Sequence, residues 1–140
     1  MRRRGIHHEK DFAYARRAGD KLIIVYQFQE EEKRAYARFP RAYSLDQLDA
    51  FKQDSIGVLV MHSKSGGHGL DLTECNHMVF LSPVWSSDLM RQTIARIWRR
   101  GQTRECLVEV LIGQDTIEEE IVVREAGKRK WHEVLMAHLE

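Results

Sequence analysis

A central parallel β-sheet flanked by helices, an α/β fold, is what this sequence predicts, and three observations carry the prediction. Short apolar, β-branched runs punctuate the chain at Leu22–Tyr26 (LIIVY), Ile56–Met61 (IGVLVM), His77–Leu81 (HMVFL) and Cys106–Ile112 (CLVEVLI). Most are continuously apolar instead of alternating, the pattern of strands buried on both faces. Segments with helical spacing separate most of them, which is how parallel strands are connected.

The elements follow in order. Residues 1–20 are polar and read as an N-terminal arm or helix, with Arg2, Arg3 and Arg4 as a short basic start. Residues 21–113 form the α/β lobe. After the first strand, Gln29–Arg38 is charged with helical spacing, an exposed helix that Pro40 stops. Ala42 and Tyr43 suit a brief strand. Ser44 is placed to cap a helix over Leu45, Leu48 and Phe51. Ser86 is placed to cap another after Pro83, with Asp88 in its first turn favouring the helix dipole and Gly101 at its end. Residues 114–140 read as closing C-terminal helices. Ile117, Ile121 and Val122 stripe the first; Trp131, Val134, Leu135 and His138 stripe the second.

Bulk properties bound the function. At 140 residues the chain is one domain with room for a core. Charged residues are 31% and hydrophobic residues 43%, ordinary for a globular domain. With a formal net charge of +1, no global field favours nucleic acid, so such binding needs a local patch. Cys75 and Cys106 lack metal-ligand spacing and read as buried thiols in a reducing compartment; no metal site is expected. No apolar run approaches membrane-spanning length, so no membrane partner is expected.

Two segments carry the chemistry. Ser65–Leu72 (SGGHGLDL) leaves the second strand at its carboxyl end, where ligands of parallel sheets bind. Gly66, Gly67 and Gly69 allow close backbone approach, and their N–H groups suit an anion. Asp71 suits a ribose hydroxyl. Such a turn also serves simply to reverse the chain, and by itself it leaves both readings open. Lys64 and Ser63 precede it and suit a nucleic-acid phosphate. The second segment is Gln92–Gln102 (QTIARIWRRGQ). At helical spacing Gln92, Arg96 and Arg99 fall at i, i+4 and i+7 and share an outward face. Met90, Ile94, Ile97 and Trp98 fall opposite, toward the sheet. Two neighbouring guanidiniums repel unless an anion joins them, and arginine suits bidentate phosphate contact.

These segments resemble the second RecA-like lobe of superfamily 2 helicases, nearest the Swi/Snf-type DNA translocases. SKSGGHGLDL resembles motif V, QTIARIWRRGQ motif VI and LIIVYQF motif IV; Pro83 and Trp85 fit residues preceding motif VI, and DTIEEEI the start of the brace helices. The likeness spans Lys21 to about Glu120. It implies a three-layer RecA-like domain closing with C-terminal helices. It implies that Arg96 and Arg99 are arginine fingers with Gln92 beside them, the catalytic set. It implies that Gly67, Gly69 and Asp71 meet the nucleotide. Gln27, Ser63, Lys64 and Trp85 would face DNA, mainly its backbone. ATP with Mg2+ is the implied cofactor, bound mainly by an N-terminal RecA-like lobe that is the implied partner.

The chain departs from the family pattern. Tyr43–Ser55 (YSLDQLDAFKQDS) is compact and lacks the family's Gly-Ser/Thr element and downstream arginine, which leaves one DNA contact without a carrier. Arg100 stands where an apolar residue is common, and Ala95 where an acidic one is. The compact form is closest to phage or bacterial members, with a cytoplasmic location, or nuclear in a eukaryote. No GKT or GKS loop and no Asp-Glu box occurs in the sequence, so the chain has fingers without the phosphate cradle. The expectation is half of a DNA-dependent ATPase, inactive alone, with exposed faces open to self-association. A freestanding nucleic-acid- or protein-binding module that has lost catalysis is the alternative.

Overall fold

A computed structural model of the chain describes residues 2–8, 21–65, 70–84 and 86–112. In chain order the elements are β1 (Arg2–His8), β2 (Leu22–Tyr26), α1 (Gln29–Arg38), α2 (Leu48–Gln53), β3 (Val58–His62), β4 (His77–Phe80), α3 (Ser87–Ile94) and β5 (Leu107–Ile112). The strands form one sheet ordered β1-β5-β4-β2-β3, and every pairing is parallel. From β2 the chain steps outward to β3, then crosses back to β4 on the other side of β2. That reversal places the ends of β2, β3 and β4 together at the carboxyl edge, where such sheets hold ligands.

Period-2 alternation sorts the strand residues onto two apolar faces. Ile23, Val25, Leu59, Met61, Met78, Phe80, Val108 and Val110 pack with Phe51 of α2 and with Met90 and Ile94 of α3. On the other face Leu22, Ile24, Val58, Val60 and Val79 pack with Ala35 of α1. Three layers result: α1, the sheet, then α2 with α3. Leu22, Ile23 and Ile24 are fully buried, and each such side chain contributes roughly 1.5–3 kcal/mol. This is the expected parallel α/β fold.

Local chemistry sets the helices. The buried Glu31 carboxylate accepts the Gln27 and Phe28 backbone N–H groups at 2.8 and 3.1 Å, placing an anion at the start of α1. Phe39 N closes the other end on Ala35 O at 2.8 Å. Ser44 does not open an α-helix directly: a 3₁₀ turn over Leu45–Gln47 comes first, and Gln47 Oε1 accepts Ser44 N at 3.1 Å. Lys21, buried behind β2, donates to Phe51 O at 2.7 Å and Lys52 O at 3.2 Å, tying down the end of α2. The brief strand expected at Ala42 and Tyr43 reduces to one bridge, Tyr43 beside Leu59 at the sheet edge.

Arg2–His8 corrects the expectation of an arm or helix over residues 1–20. It is a strand in parallel register with β5, running from Arg2 opposite Leu107 to His8 opposite Ile112. The open edge of β5 offers a ladder of backbone groups that an extended segment can satisfy whatever its side chains. RRRGIHH carries no apolar periodicity to announce that. The expected closing helices over residues 114–140 lie outside the described residues.

Candidate functional site

The segments after β2, β3 and β4 meet at the carboxyl edge, and hydrogen bonds stitch them to the end of α3. Ser86 caps α3 as expected, its Oγ accepting Leu89 N at 3.3 Å. Met90 and Ile94 face the core. The α-helix ends at Ile94, earlier than the sequence suggests. Beyond it Arg96 N donates to Thr93 O at 3.3 Å and Ile97 N to Ile94 O at 3.1 Å. These i to i−3 bonds tighten the turn at Arg96 and Ile97, before Trp98 N returns to Ile94 O at 2.9 Å.

That tightening corrects the common outward face of Gln92, Arg96 and Arg99. Gln92 and Arg99 are exposed, whereas Arg96 is buried at 8% exposure. Its Nη2 donates to Ser65 O at 2.9 Å, at the entrance to the glycine turn. Burial lowers the Arg96 pKa from its ordinary value, yet a guanidinium stays charged. Trp98 is corrected as well: Ile97 is fully buried, but Trp98 is 37% exposed and does not belong to the core face. Gly101 does not end the helix. It lies in the turn that follows, at φ 102°, which a side chain would strain.

Two further ties join this turn to the glycine segment. The single Thr93 Oγ1 proton is shared between Leu89 O at 2.7 Å and Ser63 O at 3.3 Å, with the shorter contact to Leu89 dominant. Leu72 N donates to Arg96 O at 2.9 Å. Motif VI therefore grips motif V at both ends, at Ser63 and Ser65 before the glycines and at Leu72 after them. Gln102 locks the far side. Its Nε2 reaches Thr73 O, Cys75 O and Ile97 O at 3.1, 2.8 and 3.0 Å, and its Oε1 accepts Arg104 N at 3.0 Å. Gln102 stands in the motif without a role that the residue pattern alone assigns. A polar residue directly after a turn glycine was the available signal.

The other expected site residues divide. Asp71 is exposed, and its Oδ1 accepts Thr73 Oγ1 at 2.7 Å and Thr73 N at 2.9 Å. Those bonds hold its carboxyl below the ordinary aspartate range, helped by the charges of Arg99 and Lys52. Arg99 thus stands near Asp71 at the rim, and it forms no ion pair among the described residues. Lys64 is exposed beside the turn. Ser63 is buried at 1% exposure, so its side chain does not line an outer track. Gln27 is turned inward: Nε2 donates to Ser82 Oγ at 2.8 Å and Pro83 O at 2.6 Å, filling the gap where the chain leaves β4. Gln27 is drawn in by unmet polar groups where strand ends converge, and Ser63 is buried where its backbone N bonds Tyr26 O. Gly66, Gly67, His68, Gly69 and Trp85 lie outside the described residues. Both cysteines are buried; burial pushes the Cys75 thiol up to about 12 and raises that of Cys106, as inert thiols require.

A parallel three-layer lobe with its polar stitching at the carboxyl edge defines the class, a RecA-like domain. Comparison with known proteins narrows it. Residues 11–101 match the model of the helicase conserved C-terminal domain, and the chain belongs to that family. It is 38% identical over 106 residues to the DNA repair protein rad8 of Schizosaccharomyces pombe, covering 72% of this chain and 9% of that protein. It is 39% identical over 72 residues to the DNA repair and recombination protein RAD54-like of Danio rerio, covering 51% and 10%. It is 40% identical over 82 residues to the putative helicase 172L of Invertebrate iridescent virus 6, covering 58% and 14%. The chain thus spans about a tenth of the length of the relatives it matches. Among solved structures, the C-terminal part of the Fun30 ATPase domain superposes with a TM-score of 0.61 at 22% identity, covering 79% of this chain and 40% of that one. The Pyrococcus furiosus Hef helicase domain gives 0.58 at 24%, covering 84% and 26%. These two show the fold. The family match and the relatives agree with the second RecA-like helicase lobe that motifs IV, V and VI resemble.

Proposed function

We propose that this lobe serves a two-lobe, DNA-dependent ATPase, supplying Arg99 as its mobile finger. One observation carries the reading: the stitched motif V–motif VI seam leaves Arg99 exposed at the rim near Asp71, with no ion pair among the described residues. An exposed guanidinium on a fixed turn fits a phosphate presented from outside. The cradle for ATP and Mg2+ would belong to the N-terminal lobe, and hydrolysis of the bound nucleotide would supply the driving chemistry. Arg99 would bring positive charge to the terminal phosphate. Arg96 would hold the glycine turn in place, within reach of the same phosphate only if its bond to Ser65 O is exchanged. Lys64 would meet the DNA backbone, with Trp85 the other residue that the motif resemblance assigns to the track. Such binding is salt-sensitive and weakly sequence-specific. Buried free thiols favour a reducing compartment, cytoplasmic or nuclear.

The experiment adds an N-terminal lobe carrying a Walker loop in trans and measures DNA-stimulated ATP turnover. Turnover that appears only with both lobes, and falls with Arg99→Ala, supports the reading. DNA binding with no complementation points instead to a freestanding module. Light scattering on the same preparation reads self-association, for which Phe28 at 60% and Trp98 at 37% exposure offer apolar contact.

A further inference from the structure

His62 ends β3 immediately before motif V, and both of its ring nitrogens are engaged. Nδ1 accepts the backbone N–H of Lys64 at 3.0 Å. Nε2 lies 3.1 Å from Gln27 O. An amide N–H only donates and a carbonyl only accepts, so these partners select the neutral ring protonated at Nε2. Tyr26, the parallel neighbour of His62 on β2, fixes the ring edge to face, with centroids 5.2 Å apart and planes at 87°. Gln27 continues the line through its side chain to Ser82 and Pro83. One imidazole therefore closes a hydrogen-bonded run across the ends of β3, β2 and β4, and its free end is the backbone of Lys64.

We propose that His62 is a positioning residue that sets Lys64 for the DNA backbone and does so only as the neutral, Nε2-protonated ring. The proposal rests on the DNA-facing reading of Lys64. Protonation would put an N–H on Nδ1 against the Lys64 N–H, turning a hydrogen bond into a contact between two donors. The ring meets Tyr26 on β2 and Lys64 on its own loop, while Glu32 and Tyr36 on α1 act on Tyr26. Tyr26 is pushed up to about 12, by burial first and then by its hydrogen bond with Glu32, so it stays neutral where a histidine titrates. Glu32 is engaged with Tyr26.

The variants separate the two ends of the ring. His62→Asn keeps a side-chain acceptor for the N–H two residues on, as in an Asx turn. His62→Gln keeps a donor toward Gln27 O, and His62→Ala keeps neither. Duplex DNA binding by the chain is read by anisotropy at about pH 8 and about pH 5, the span over which histidine changes charge. Thermal unfolding of each variant confirms that it is folded. Wild type should weaken by about five- to tenfold more than His62→Asn on acidification, the size of one hydrogen bond. At the higher pH His62→Asn should bind as wild type does, while His62→Gln and His62→Ala bind more weakly. Nitrogen-15 spectra of the ring should show the Nε2-protonated tautomer. The Nδ1-protonated tautomer, or His62→Asn binding no better than His62→Ala, overturns the role of His62. No binding by wild type, or Lys64→Ala binding as wild type does, instead overturns the DNA reading beneath it and the proposal with it. If Lys64→Ala weakens binding and every His62 variant is indifferent, His62 alone is excluded.

Discussion

The seam at Arg96 and the rim at Arg99 lie one turn apart in the same motif and sit in different media. At the seam, Arg96 is buried, its Nη2 bonds Ser65 O, and its own carbonyl holds Leu72 N. At the rim, Arg99 is exposed near Asp71 and forms no ion pair among the described residues. Identical side chains thus do unlike work. A buried guanidinium is committed to its acceptors, because leaving them unmet costs more than the bond gives. An exposed one remains available to a ligand. The lobe is therefore rigid on one side of the turn and open on the other.

The largest consequence concerns Arg99. In a reconstituted two-lobe enzyme, Arg99→Ala should lower turnover by about a thousandfold, the scale of a lost arginine finger. Its melting temperature should stay within about 1–2 °C of wild type, since exposed substitutions are nearly neutral. Arg96→Ala should behave oppositely on stability. It strips Ser65 O of a charged donor and empties a buried site, at a cost of about 2 kcal/mol and several degrees of melting temperature. Calorimetry of both variants checks the contrast. If Arg99→Ala melts as low as Arg96→Ala, the two arginines are not divided between seam and rim.

How far the sequence disclosed this division can be stated residue by residue. The strands were legible because they are apolar on both faces: Leu22–Tyr26 was placed to the residue, and β3 to within two. α1 was legible from its charge spacing and Pro40. Motifs V and VI were legible as residue types at fixed distances. Their three-dimensional relation was not, because it turns on where the α-helix tightens. Helical counting assumes a constant angle per residue, and the change after Ile94 rotated Arg96 inward and Trp98 outward. Gln27 and Ser63 were misplaced for a related reason. Converging strand ends consume nearby polar groups, and a one-dimensional pattern does not show which ends converge. β1 pairs through its backbone, which no side-chain pattern reports.

Gln102 tests whether the seam extends past Arg96. It ties Thr73, Cys75 and Ile97 through one amide. Gln102→Ala removes an amide whose two N–H protons are shared among three carbonyls and should cost on the order of 1–2 kcal/mol, less than Arg96→Ala because Gln102 is only partly buried. Gln102→Glu keeps the shape, removes the donor and should be no better. If denaturant midpoints for either variant match wild type, the seam ends at Arg96 and the rim begins sooner.

The smallest effect should come from the carboxylates at the two ends of the sheet. Tyr43 Oη donates to Asp54 Oδ2 at 2.7 Å, and this bond, then that from Ile56 N, holds the Asp54 carboxyl below its ordinary 3.8. Asp71 is lowered by its bonds from Thr73. A carboxyl depressed in the folded state favours folding above its unfolded value, and that contribution fades as pH falls through the folded value. Stability should therefore be level above about pH 5 and decline below about pH 4. Tyr43→Phe removes the largest cause of the Asp54 shift, so its acid decline should be shallower than that of wild type. Thr73→Val should do the same through Asp71, and with it lies the sharper reading of the rim. Because Arg99 also lowers Asp71, Arg99→Ala should soften the acid decline slightly while Arg96→Ala leaves its slope alone. An Arg96→Ala slope that changes as much would mean that Arg96, and not only Arg99, projects its charge onto the rim.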